Sequence, residues 1–97
     1  MAPVTESAQP ALREALSDKD SMVAADAARA LGALGNSASP SVRALVETLS
    51  HEDSYVRVYA AEALASIGPT AARATPALAG ALNDPTPGVR WAACEAL

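Results

Sequence analysis

The side chains able to do chemistry are few, and most of them crowd into short polar segments. Histidine occurs once, at His51, next to Glu52 and Asp53, and cysteine occurs once, at Cys94. One imidazole supplies one nitrogen ligand, too few for a two-metal centre. The carboxylates Asp18, Asp20, Glu52, Asp53 and Asp84 recur where helices should begin. Their first role is therefore to accept hydrogen bonds from free N–H groups and to meet helix dipoles. A weak cation edge is their second reading. Cys94 has no histidine in register and reads as a small buried filler. A single thiol forms no intramolecular disulfide and suits a reducing cytoplasm. There is no Gly-rich phosphate loop, no Ser-His-Asp set and no paired zinc motif. What remains is aromatic: Tyr55 and Tyr59, four apart on one helix face, and Trp91. Tyr, Trp and Arg are the usual anchors of protein interfaces.

These residues are positioned by a repeat. LSHEDSYVRVYAAEALASIG, residues 49–68, is preceded 33 residues earlier by LSDKDSMVAADAARALGALG and followed 33 residues later by LNDPTPGVRWAACEAL. The register holds at Val23/Val56/Val89, Ala27/Ala60/Ala93 and Leu31/Leu64/Leu97. Self-similarity at this period means stacked units, none of which buries its apolar face alone. Val23, Val56 and Val89 are thus expected in the core. We expect one domain over residues 1–97, with units at about 8–35, 39–68 and 70–97.

The elements follow from local signals. A polar lead-in, Met1–Ser7, should precede a first helix over Ala8–Leu16, with Pro10 in its first turn. Asp20, Asp53 and Thr86 stand in register as caps, each followed by Ser21, Ser54 or Pro87. They start second helices over Ser21–Leu34, Ser54–Ile67 and Pro87–Leu97. Gly35 and Gly68 end the first two by supplying a left-handed residue at no steric cost. The third helix should run from Pro40 to Leu49. The fifth starts at a Thr70 cap or at Thr75-Pro76, and a kinked or two-piece helix is expected.

Hydrophobic residues make up 51% of the chain but aromatics only 3%, with no Phe, so the core must be shallow, Ala-rich and closely spaced. The formal charge of −4 with scattered Arg and Lys argues against nucleic acid, whose binding needs a cationic stripe. No run is apolar and long enough to span a bilayer, and no signal peptide opens the chain. The expectation is a soluble, cytoplasmic protein with no cofactor.

The pattern L-x-D-x-D-x-x-V-R-x-x-A-A-x-A-L-x-x-I-G, best kept from Glu52-Asp53-Ser54-Tyr55-Val56-Arg57 to Gly68, resembles the HEAT-like repeats of the phycobilisome-lyase type. The resemblance spans Ala8 to Leu97. It implies an all-α, right-handed α-solenoid of about three HEAT-like helix pairs, whose second helices line a concave face. Ankyrin repeats share the period, but their Thr-Pro-Leu-His is echoed only at Thr75-Pro76-Ala77-Leu78. In tetratricopeptide repeats, aromatics stand where this chain has Ala or Leu. One branch of HEAT-like proteins, resembling deoxyhypusine hydroxylase, binds iron through His-Glu pairs placed just after Val-Arg. Here Val58-Tyr59 fills that place, and His51-Glu52 lies in a turn.

The resemblance further implies a ladder between turn Asp residues and the Arg after Val. Asp20 and Asp53 match the Asp position, and Arg57 and Arg90 match the Arg. The expected pairs are Arg57 with Asp18 or Asp20, and Arg90 with Asp53. On the concave face, Tyr55, Tyr59 and Trp91, with Met22 and Val58, should form a patch for a protein or peptide. The function expected is a non-catalytic interaction module or scaffold. The alternatives are an accessory or subunit of a phycobilin lyase-like enzyme, and a fragment or oligomerising unit of a longer array. The last rests on the sixth helix, which stops at Leu97 and should leave an uncapped apolar face of Val89, Ala93, Ala96 and Leu97.

Overall fold

Each second helix begins where a side chain replaces a missing backbone partner. In a computed structural model, which describes residues 4–97 apart from the side chains of residues 4–8, 36 and 69–71, Asp20 accepts from the Met22 N–H at 2.9 Å. Asp53 accepts from the Tyr55 N–H at 2.8 Å. Both cap residues are extended, so their carboxylates reach back over the first turn. Thr86 has the same extended backbone but makes no side-chain cap bond. Pro87, at the head of its helix, needs no partner for an N–H it lacks.

Six α-helices result among the described residues: α1 (Val4–Ala15), α2 (Ser21–Ala33), α3 (Val42–Thr48), α4 (Ser54–Ile67), α5 (Thr75–Ala81) and α6 (Pro87–Ala96). No strand occurs among the described residues. The fold is all-α and solenoid-like, 43 × 30 × 16 Å in extent. Second helices form the spine, α2 lying along α4 and α4 along α6, and the first helices pack behind them.

Three local expectations need correction. Helix α1 starts at Val4, within the expected lead-in, and Pro10 lies inside it rather than in its first turn. The helix lacks one N–H there, a loss that its packing on α2 and the following segment offsets. The third helix is shorter than expected, because Gly35–Ser41 winds as a 3₁₀ segment that takes in Pro40. Gly68–Ala74 does the same before α5, so the fifth element is indeed in two pieces. The Thr70 side chain and residues 1–3 lie outside the described residues. Gly35 and Gly68 carry φ of 58° and 81°, the left-handed turns that release the chain from α2 and α4.

The core is a sheet-like layer of small side chains. Leu31, Leu45, Leu64, Val56 and Val89 are its largest fully buried apolar members, and alanines fill the remainder. Close spacing is literal at Gly32, where an added Cβ would stand 3.0 Å from the Ala63 Cα. A buried polar knot ties the first helix to the second unit. Gln9 donates to the Ser37 carbonyl at 2.8 Å, the Ser41 hydroxyl donates to Gln9 Oε1 at 2.8 Å, and Arg13 donates to Ser41 Oγ. Buried Thr48 donates to the Ala44 carbonyl at 2.8 Å, and no buried polar side-chain atom among the described residues lacks a partner.

The valine register splits by position in the stack. Val56 and Val89 are fully buried, whereas Val23 is 40% exposed. Val56 is buried because it lies on Ala24 and Ala25 of the preceding unit. Val23 has no such neighbour among the described residues. At the opposite end the face expected at α6 holds only in part: Leu97 is exposed and Ala96 half-buried. Val89 and Ala93 point inward and are fully buried. The open side of α6 carries Arg90, Trp91 and Cys94 instead. Cys94 is exposed, not a buried filler, although its equivalents Ala28 and Ala61 are fully covered by a following unit.

Candidate functional site

Helices α2 and α4 lie so close that their outward side chains share one groove. Its floor is Ala28, Gly32 and Ala63, and its walls include Arg29, Tyr59, Glu62 and Ser66, enclosing about 280 Å³. One turn apart on α4, Tyr55 and Tyr59 meet edge to face, with ring centroids 5.3 Å apart and planes at 76°. The Arg29 guanidinium carbon sits 5.4 Å from the Tyr59 ring centre, a cation–π contact across the two helices. Hydrogen bonding and charge from Tyr55, with burial, raise the Tyr59 phenol above its ordinary value, against the lowering effect of Arg29. Tyr59 is half-buried and Tyr55 is 59% exposed. The arrangement presents a rigid aromatic step beside one cation and one carboxylate, Glu62. Arg29 was not singled out in the sequence, since its partner ring is 30 residues away and only helix stacking brings them together.

The other residues expected on this patch are placed differently. Met22, in register with Tyr55, is exposed at the start of α2. Val58 is half-buried against α6, with a methyl 3.3 Å from where a Gly88 Cβ would stand. Trp91 is 70% exposed on the open side of α6. Val58 faces α6 rather than the groove, and Trp91, in the same register, lies on the open side of α6. A wider depression of about 780 Å³, on the side of the 3₁₀ segments, is lined by Pro40, Val42, Arg43, Val46 and Arg73.

The ladder runs in the opposite sense to that expected. Arg57 reaches forward, pairing with neither Asp18 nor Asp20. Its Nε donates to Asp84 Oδ2 at 2.8 Å and its Nη2 to Asp84 Oδ1 at 3.2 Å. Its Nη1 donates to the His51 and Glu52 carbonyls of its own turn, at 2.8 and 3.1 Å. The pair is mostly covered, with side-chain exposures of 14% and 11%. Arg90 does not pair with Asp53. It donates to the Asp84 carbonyl at 2.7 Å, repeating the bond from Arg57 to His51. Asp20 and Asp53 are occupied as caps. The acceptor position is thus that of Asp18, His51 and Asp84, not that of Asp20 and Asp53.

Electrostatics follow from these contacts. Burial pushes the Asp84 carboxyl up, but hydrogen bonds from Arg57 and the Thr86 N–H, with the charges of Arg57 and Arg90, outweigh it. The net shift is downward. Asp53 is also lowered, first by a hydrogen bond from the Ser21 hydroxyl and then by the Tyr55 N–H.

A family model for HEAT repeats matches residues 42–97, more than half of the chain. The chain belongs to the HEAT-repeat family. A second model, for the PBS lyase HEAT-like repeat, matches residues 23–51. Comparison with curated proteins finds no match. HEAT repeats generally serve as interaction or scaffold modules.

Within the HEAT frame the turn residues acquire one shared task. Asp18 Oδ1 accepts the Asp20 N–H at 2.8 Å, and Asp84 Oδ1 accepts the Thr86 N–H at 2.9 Å. His51 Nδ1 accepts the Asp53 N–H at 3.0 Å. The histidine therefore stands in for a carboxylate as the turn acceptor. Among the described residues, no three His, Cys, Asp or Glu side chains gather as a metal-ligand set. Nor is any helix there long and apolar enough to cross a membrane.

Proposed function

We propose that this HEAT-repeat chain is a non-catalytic interaction module that holds a protein or peptide segment along the α2–α4 groove. The observation that carries the reading is the contiguous set of Arg29, Tyr59 and Tyr55, a cation over one ring that meets the second edge to face. Aromatic side chains with few torsions give contact area at low entropic cost, and an adjacent Arg adds directional hydrogen bonds. The groove suits a segment that lays an apolar side chain over Gly32 and Ala63 and sets a carboxylate near Arg29. The lone exposed thiol of Cys94 fits a cytoplasmic setting.

The test is selection of displayed peptides on the intact chain, followed by affinity measurement on variants. Tyr59→Ala and Arg29→Ala should each weaken the selected peptides tenfold or more. Arg43→Ala, on the other side of the stack, should leave them unchanged. Peptides indifferent to Tyr59→Ala and Arg29→Ala would refute the groove as the binding site. A second reading, an accessory role beside a phycobilin lyase-like enzyme, rests on the match of residues 23–51 to the PBS lyase HEAT-like repeat. Bilin absorbance unchanged on addition of the chain would remove it.

A further inference from the structure

We infer that the depression on the side of the 3₁₀ segments, between the second and third units, binds an acidic peptide segment. Two carboxylates of the segment meet Arg43 and Arg73, and an aliphatic side chain rests on Pro40, Val42 and Val46. The depression shares no lining residue with the α2–α4 groove and does not depend on the reading proposed for it.

Most cations of this chain are occupied by the fold. Arg13 donates to Ser41, Arg57 to Asp84 and its own turn, and Arg90 to the Asp84 carbonyl. Arg29 lies over the Tyr59 ring and beside Asp26. Lys19 stands between Asp18 and Asp20. Arg43 and Arg73 are exposed and meet no acceptor, carboxylate or ring among the described residues. Both line the same depression of about 780 Å³. The chain has 11 Asp and Glu against 7 Arg and Lys, yet no carboxylate is among the described residues that line it. Glu47, one turn beyond Arg43 on α3, lines a different depression with Arg13 and Ser17.

The repeat does not call for arginine at either place. With the 33-residue period, Pro10 and Pro76 stand in register with Arg43, and Pro40 with Arg73. One unit earlier, the equivalent place thus has Pro10 and Pro40 where this one has two guanidinium groups. The ladder arginines differ in this respect, since Arg57 and Arg90 recur in register and each grips its own turn. A position filled by proline elsewhere in the same stack gives its arginine no part in holding the helices. Two like charges without a counter-charge raise the local potential and draw in an anion. The planar fork of a guanidinium matches a carboxylate through two parallel hydrogen bonds. Beside the cations, exposed Pro40, half-buried Val46 and the edge of buried Val42 offer an apolar floor. Nucleic acid needs a longer cationic stripe than this pair. The lining comes from residues 39–46 and 73, within the middle of the stack.

The test is an NMR titration of the intact ¹⁵N-labelled chain with synthetic peptides blocked at both ends. Each peptide carries two Glu separated by one, two or three residues, one of them Leu and the others Ser. At least one peptide should shift amides within residues 39–46 and at Arg73. Its counterpart with Gln for Glu should bind about tenfold more weakly. Arg43→Gln and Arg73→Gln should each weaken the Glu peptide about tenfold, and added salt should weaken it on the parent chain. Both side chains are exposed, and helical circular dichroism checks that the variants fold. Tyr59→Ala and Arg29→Ala should leave this binding unchanged, so failure here is told apart from failure of the groove. No shift at residues 39–46 with any peptide at millimolar concentration would overturn the inference. So would binding that survives both arginine variants, equal binding of the Gln peptide, or a single-stranded oligonucleotide that binds there more tightly than any peptide.

Discussion

Removing the Arg57 side chain tests the ladder and its direction together. The guanidinium makes two hydrogen bonds to Asp84, two to turn carbonyls and a long one, at 3.5 Å, to Thr86 Oγ1. An exposed pair would contribute about 0–1 kcal/mol. Breaking a buried one costs about 3–5 kcal/mol, because a charge is left unpaired. Side-chain exposures of 14% and 11% place this pair nearer the second case. Arg57→Ala should therefore cost about 3 kcal/mol, which in a domain of this size lowers Tm by about 12–24 °C. In urea titrations followed by circular dichroism, Arg57→Ala and Asp84→Ala should be non-additive, with a coupling of about 1.5 kcal/mol. A parallel cycle of Arg57 with Asp20 should be additive within about 0.3 kcal/mol. Arg90→Ala, which loses one exposed hydrogen bond, should cost about 0.5 kcal/mol or less in dilute protein. The reasoning fails if Arg57→Ala costs less than Arg90→Ala, or if Arg57 couples to Asp20 and not to Asp84.

Two glycines should respond in opposite directions to the same substitution. Gly32→Ala places a Cβ 3.0 Å from the Ala63 Cα, forcing α2 and α4 apart at a cost of about 1–3 kcal/mol in urea unfolding. Gly80→Ala meets nothing within 4 Å and sits in helix α5, so it should stabilise by about 0.5–1 kcal/mol, read as a higher Tm. The lowered Asp84 carboxyl makes a pH prediction. A carboxylate with a depressed folded value contributes stability that is complete above its unfolded value of about 3.9 and lost as pH falls through the folded one. Asp84→Asn should be less stable than the parent at neutral pH, and the gap should shrink below pH ~4; a gap independent of pH would contradict the assignment.

What the sequence determined by itself is what depends on period and near neighbours. A 33-residue repeat, capping Asp20 and Asp53, and glycines at 35 and 68 are local signals that set the helices and their stacking in register. The Tyr55–Tyr59 pair was legible for the same reason, since four residues is one helical turn. The tertiary structure decided everything that depends on which way a unit leans on its neighbour. Arg57 has carboxylates on turns both before and after it, and spacing along the chain does not say which one its side chain reaches. Packing of α4 on α6 selects Asp84. The same lean sends Val58 toward α6 and leaves Trp91 on the open side of α6, both away from the tyrosine groove. It also brings Arg29 across to Tyr59. Gln9 and Ser41 escaped the sequence, and Pro10 was expected in a first turn rather than inside the helix, because a buried hydrogen-bonded knot and packing against the second unit stabilise a first helix that local propensity would have started later. Helical periodicity sets which residues share a face, but only contact between units decides what that face meets.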